Sequence, residues 1–244
     1  TDERIPLNRR IYYSVLFFAG LRSGEGAGLT WDRFTEDKEP LGEIRVDRSY
    51  DNKKTKTRSI RWIPVHPVLA AILKQWREQG WPEMIGRNPK PDDFICPMPK
   101  TTFTKLGSMR SAKGIHNQFA RDVEKIGLPK KTAHGLRHAF ISILSNSLLP
   151  DNIITMITHT KPKKVLTGYT HLQWNTLCDA VMKIDISAQE IPWLAGTGET
   201  EEGEGQGQIG EPATNPATEI KKPAGFRRVS EIAGTGFEPT VIGL

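Results

Sequence analysis

The stretch Ala133-His134-Gly135-Leu136-Arg137-His138-Ala139-Phe140 sets two histidines four positions apart around an arginine, at the head of an apolar run that continues to Ser147. The spacing predicts a helix from Ala133 to Ser147 with both imidazoles on one face. Zinc-binding helices use the same spacing, so a metal site is one reading. Against it, Gly135 stands where a metalloprotease helix carries its glutamate base, and no carboxylate ligand follows at a familiar distance. The other reading is anion recognition. A planar guanidinium offers paired, charge-assisted hydrogen bonds to an oxyanion, and flanking imidazoles add donors.

Working toward the amino terminus, Ile11, Val15, Leu16 and Phe18 fall near helical spacing, so Asn8 to Gly20 reads as an amphipathic helix ended by a glycine. Arg22 follows at once, in Gly20-Leu21-Arg22-Ser23-Gly24-Glu25, where Ser23 can cap a short helix carrying Glu25 in its first turn. From Ile44 to Val65 the pattern turns β-rich, with Ile44 and Val46 before a polar tip and Ile60, Trp62 and Ile63 after it. The tip is basic, through Lys53, Lys54, Lys56 and Arg58, and Arg61 reads as part of the same phosphate-contacting patch. His66-Pro67 opens a helix through Trp76 that buries Leu69, Ile72 and Leu73 and stops at Gly80, and Trp81 to Thr104 reads as a connecting loop.

Three further helices are expected besides that of residues 133–147: Gly114 to Ile126, Asp151 to Ile157, and Leu172 to Ile184 with Leu177, Val181 and Ile184 on one face. The fold class is mainly α with a small antiparallel β-sheet (α+β). His159 follows the helix Asp151 to Ile157, and Tyr169 comes ten positions after it with His171 close behind.

Composition bounds the function without choosing it. A chain of 244 residues with 37% hydrophobic content can pack a good-sized core. No run of eighteen apolar residues occurs and the first residues are not a signal peptide, so no membrane partner and a cytoplasmic, nucleoid-associated location are expected. Cys96 and Cys178 are far apart and read as buried thiols. Residues 190–244 hold nine acidic and four basic side chains, so the net charge of +6 leaves +11 on residues 1–189. A basic body favours a polyanionic partner through counterion release. After Pro192 the chain is dense in Gly, Glu and Pro and cannot bury enough surface to order itself.

Taken in order, Arg22, Lys56, the 134–138 cluster, His159 and Tyr169 resemble the tyrosine recombinase (phage integrase) family, across roughly residues 5–185. The box Gly-Leu-Arg-Ser-Gly-Glu around Arg22, the Lys-Thr pair before Ile63-Pro64 and Thr167-Gly168-Tyr169-Thr170-His171 carry the match; the Leu-Gly usual before the family's third-position histidine is here Ile157-Thr158. Both Lys54-Thr55 and Lys56-Thr57 fit the lysine position, and the register to Ile63-Pro64 prefers Lys56.

The resemblance implies catalysis by Arg22, Lys56, His134, Arg137, His159 and Tyr169. Tyr169 would attack a DNA phosphate, giving a 3′-phosphotyrosyl bond. A phenol with a pKa of about 10 is a poor nucleophile unless its phenolate is stabilised as it forms. Arg22 and Arg137, helped by His134 and His159, would answer the charge on the phosphate oxygens, while Lys56 protonates the departing 5′-hydroxyl. Glu25 and His138 are expected in supporting roles, and Lys53, Lys54, Arg58 and Arg61 on the DNA. No metal and no nucleotide cofactor are implied. The expected partner is a double-stranded recombination site, bound by a homotetramer on paired sites, with accessory DNA-bending proteins allowed.

The resemblance places a catalytic domain at residues 1–189, with the family's amino-terminal DNA-gripping domain absent from the chain, and a low-complexity tail at 190–244. Three other readings stay open. A type IB topoisomerase would relax plasmids without recombining them. A DNA-binding module would keep the basic surface without the chemistry. A zinc hydrolase built on His134 and His138 would be abolished by a chelator.

Overall fold

The computed structural model describes residues 3–49, 60–111, 114–159 and 173–186. In chain order the elements are α1 (Leu7–Phe18), α2 (Ser23–Ala27), β1 (Phe34–Thr35), β2 (Glu43–Val46), β3 (Arg61–Pro64), α3 (Pro67–Gln75), α4 (Trp81–Ile85), α5 (Gly114–Lys125), α6 (His134–Asn146), α7 (Asp151–Thr158) and α8 (Trp174–Val181). The expected fold class holds: helices surround a three-stranded antiparallel sheet of order β1-β2-β3.

Helix α1 is the axis of the core. The amphipathic pattern expected of it gives way to burial on every face, because Asn8 and every residue from Ile11 to Phe18 is buried. It packs on α2, α3 and α6. The Tyr13 ring meets Phe119 of α5 edge-on at 4.8 Å, and its hydroxyl donates to the buried Asp122 carboxylate at 2.6 Å. Burying each such apolar side chain contributes about 1.5–3 kcal/mol, so α1 contributes substantially to cohesion.

The end of α1 fixes the approach to Arg22. The Gly20 amide donates to the Phe17 carbonyl and the Leu21 amide to that of Leu16, both at 3.1 Å, with Gly20 left-handed at φ +56°. This is the glycine-dependent double bond that closes a helix and reverses the chain. Leu21 is then buried, and the next residue, Arg22, begins α2. Ser23, expected as the α2 cap, is instead its first residue. Arg22 is the cap, and the Glu25 carboxylate accepts its backbone N–H at 2.9 Å.

In the sheet, Ile44 pairs with Ile63 and Val46 with Arg61, so these four side chains share the buried face. Ile60 and Trp62 point outward. Phe34 of β1 adds a third strand across from Ile44. The tip residues 50–59 lie outside the described residues.

At α3, His66 acts as the N-cap: its Nδ1 accepts from the Val68 amide at 3.2 Å and its Nε2–H donates to the Ile184 carbonyl at 3.0 Å. The two contacts define the neutral tautomer, and burial lowers the imidazole pKa. The helix does not stop at Gly80 as expected. It continues through a π-helical turn, Trp76–Gly80, into α4, so the start of the expected 81–104 loop is helical. Gly80 permits this because a Cβ there would meet the Trp76 ring at 2.6 Å. Cys96 and Cys178 are both free and buried, as read from the sequence.

Candidate active site

The carboxyl end of α7 is the centre of the site. A helix leaves its last carbonyls without backbone donors, and here three arginines from three other elements supply them. Arg61 of β3 donates Nε–H to the Ile157 carbonyl at 2.9 Å. Arg137 of α6 donates Nη2–H to the Thr158 carbonyl. Arg22, at the start of α2, donates Nη2–H to the His159 carbonyl at 3.1 Å. His159 itself adopts a left-handed conformation, φ +51°, at the end of the helix.

Glu25 sits behind this cluster and ties two of the guanidinium groups together. Arg61 grips it with both terminal nitrogens, Nη1–Oε1 at 3.1 Å and Nη2–Oε2 at 2.7 Å. Arg22 Nη1 reaches Oε1 at 2.9 Å. Burial alone would raise the Glu25 pKa, but hydrogen bonds and charge from Arg61, then Arg22, hold it below the usual carboxylate range. Glu25 is an ionised anchor that accepts the Arg22 backbone N–H at the start of α2 and also pairs with the Arg22 guanidinium.

The arginines differ in exposure. The Arg22 side chain is 27% exposed, whereas Arg137 is only 2% exposed and also donates Nη1–H to the Gly20 carbonyl. Desolvation, then repulsion from Arg22, lowers the Arg137 pKa to about 10. The guanidinium stays charged at neutral pH. Arg61 corrects the sequence reading. Expected on the phosphate-contacting patch, it is 3% exposed and committed to Glu25 and Ile157. Strand parity is the reason: Ile63 faces the core, and side chains two apart share a face.

The imidazoles lie around this core. His134 opens α6 with one side open to solvent and the other partly desolvated, its ring edge-on to His138 with centroids 4.6 Å apart. Burial, followed by repulsion from His138 and Arg137, lowers the His134 pKa, and His116 of α5 contributes to the same effect. His116 was not singled out from the sequence, where nothing marks its approach to His134. His159 is pushed down to about 4, first by burial and then by Arg61, with Glu25 opposing and Arg22 and Arg137 adding repulsion. At neutral pH its ring is therefore an uncharged hydrogen-bonding group. No third His, Cys, Asp or Glu joins His134 and His138 in a metal-sized group among the described residues.

The structure thus brings Arg22, Glu25, Arg137 and His159 together, with His134 and His138 on the adjoining turn of α6. Lys53, Lys54, Lys56, Arg58 and Tyr169 lie outside the described residues.

Comparison with known proteins follows the same outline. The profile of the phage integrase family matches residues 1–175. The chain belongs to the phage integrase family. A curated relative, a XerC-like tyrosine recombinase of Caldanaerobacter subterraneus subsp. tengcongensis, is 24% identical over 180 residues, covering 66% of this chain and 44% of the relative. The chain therefore spans under half the length of that protein. Among solved structures, the integrase from mycobacterium phage Brujita superposes with TM-score 0.51 at 14% identity, over 80% of this chain and 58% of that one. The Tn1549 transposon integrase, solved in complex with transposon right end DNA, gives 0.50 at 22% identity, over 71% and 58%. These likenesses place the helical fold with its small sheet among the integrase folds. No described helix is long and apolar enough to cross a membrane.

Proposed function

We propose that the chain is the DNA-cleaving part of a site-specific recombinase that breaks and rejoins strands through a 3′-phosphotyrosyl intermediate. One observation carries the reading. Three guanidinium groups, Arg22, Arg61 and Arg137, converge on one helix end with Glu25 as the carboxylate between them, a surplus of two positive charges among the described residues. Packing like charges in a part-buried site is costly, and the negative pole of α7 offsets only part of it. A phosphodiester gaining charge in the transition state is the partner such a site stabilises.

In this reading Arg22 and Arg137 clamp the phosphate and neutral His134 and His159 donate to its oxygens. Tyr169 attacks phosphorus, the phenol losing its proton as the P–O bond forms. The bond to the 5′-oxygen breaks, and Lys56 supplies the proton to that oxygen. A 5′-hydroxyl from another strand then reverses the step, so the bond energy is retained and neither ATP nor metal is required. Residues 1–189 act as the catalytic domain, and 190–244 as a low-complexity tail. The working form is a homotetramer on paired double-stranded sites, with accessory DNA-bending proteins as further partners.

The test is a library of nicked duplexes with randomised arms, incubated with the protein in EDTA and then denatured. A covalent protein–DNA adduct that disappears in Tyr169→Phe supports the proposal. DNA bound without an adduct would make the chain a binding module. Plasmid relaxation without joined products would favour a topoisomerase.

A further inference from the structure

Arg61 is a buried cation that the cleavage scheme leaves without a part. It sits at the ladder pair with Val46, where β3 meets α2 and α7. All three faces of its guanidinium fork are used: both terminal nitrogens on Glu25, and Nε on the Ile157 carbonyl. Its two partners each connect to a residue of the site. Glu25 holds the Arg22 guanidinium at 2.9 Å, and Ile157 lies two residues before His159 in the same helix end. A phosphate clamp needs positive charge that no carboxylate has taken: Arg61 is closed on the Glu25 carboxylate through both terminal nitrogens, whereas the terminal nitrogens of Arg137 meet the neutral carbonyls of Gly20 and Thr158.

We propose that Arg61 is a positioning residue of the strand-cleavage centre, a buried clamp that keeps Arg22 and His159 in one fixed relation so that both meet the same phosphate. The inference rests on the recombinase reading above. Arginine is required by geometry. A lysine ammonium cannot present two parallel N–H groups to Glu25 and a third to Ile157 from one rigid plane. Loss of the clamp would leave DNA affinity in place while slowing the chemical step, because a misplaced catalytic group costs rate even when binding is intact.

The groups facing His159 offer a second readout that needs no DNA. These are Arg61 from β3, Arg22 and Glu25 from the α2 junction, and Arg137 from α6. Arg61 is the foremost charge disfavouring the protonated ring, after burial. Removing it lets the His159 pKa rise.

The experiment compares wild type with Arg61→Lys and Arg61→Gln on a nicked suicide duplex selected from the library above. Cleavage at saturating DNA, DNA affinity against salt, thermal midpoint and the His159 imidazole titration by NMR are measured. The expected result has four parts. Both variants cleave at least about tenfold more slowly. Affinity stays within about twofold. The salt slope is unchanged, where a lost phosphate contact would lower it by about 1. The His159 pKa moves up in Arg61→Gln. If Arg61→Gln does not fold, Arg61→Lys decides the matter through rate, affinity and slope. A folded variant that cleaves at the wild-type rate, or one whose salt slope falls by about 1, overturns the proposal. If wild type forms no adduct, the recombinase reading fails instead. In that case an unmoved His159 titration in a folded Arg61→Gln also sinks the clamp.

Discussion

Gly20 lies face to face with the ring of Phe140: a Cβ on Gly20 would come within 2.6 Å of the Phe140 Cδ1 atom. The contact joins the end of α1 to the middle of α6, and the Gly20 carbonyl also receives Arg137. One glycine thereby sets the spacing between the helix that leads to Arg22 and the helix that carries Arg137. Gly20→Ala adds a Cβ to a left-handed residue, at about 1–2 kcal/mol, and overpacks the Phe140 contact, at about 1–3 kcal/mol. The variant should lose about 2–5 kcal/mol in urea unfolding with an unchanged slope. A loss below about 1 kcal/mol would show that the α1–α6 contact relaxes freely.

Leu148 stands at the opposite extreme. It is left-handed at φ +57°, 91% exposed, and closes α6 by the same pair of bonds that Gly20 makes for α1. A leucine gains nothing there from burial and carries the left-handed strain. Leu148→Gly should raise stability by about 0.5–1 kcal/mol, or roughly 2–4 °C in melting temperature per kcal/mol. Calorimetry reads the shift directly, and a lower melting temperature would refute the strain argument.

Replacing Arg22 or Arg137 with lysine keeps the charge and removes the fork. If each guanidinium stabilises charge that develops only in the transition state, each substitution should lower the cleavage rate at saturating DNA by about 10²–10³, as expected for loss of one preorganised donor. Affinity should change little by comparison. Single-turnover adduct formation measures the rate, and a change confined to DNA affinity would assign the arginines to binding alone.

Acid should destabilise the protein through its histidines. His66 and His159 both have folded pKa values below the ordinary value of about 6.5, by burial first in each case, and that of His159 lies at about 4. Between the unfolded and folded values the unfolded chain binds more protons, so stability falls as pH drops from about 6.5 toward 4. His66→Asn, which can keep a side-chain acceptor for the Val68 amide, should flatten part of this fall. Equilibrium unfolding at several pH values tests it. Cleavage should not titrate with His159 between pH 6 and 8, since the ring is neutral throughout.

The order of helices and strands was legible because period and punctuation are local. Apolar spacing at Leu69, Ile72 and Leu73, the glycine after α1 and the Pro at the head of α3 each act within a few residues. The continuation past Gly80 was not legible. A glycine that usually ends a helix lies inside one here, with the Trp76 ring packed where a Cβ would be. Likewise Ser23 looked like a cap, but the helix starts one residue earlier because Glu25 turns back to the Arg22 amide.

At the site, sequence alone determined the family outline and the residue types, and in the fold Arg22 and Arg137 meet at the His159 end of α7. Only the tertiary structure decided what each guanidinium is bound to. From sequence, Arg22 and Arg137 read as phosphate clamps and Arg61 as part of a phosphate-contacting patch. In the fold, Arg61 is turned inward by strand parity and closed on Glu25, whereas Arg22 keeps an exposed side. Motifs record which side chains are available, because that is a property of the chain. Burial and pairing depend on Ile157, Thr158 and His159 arriving beside β3, α6 and α2 from distant parts of the sequence, and only packing fixes that meeting.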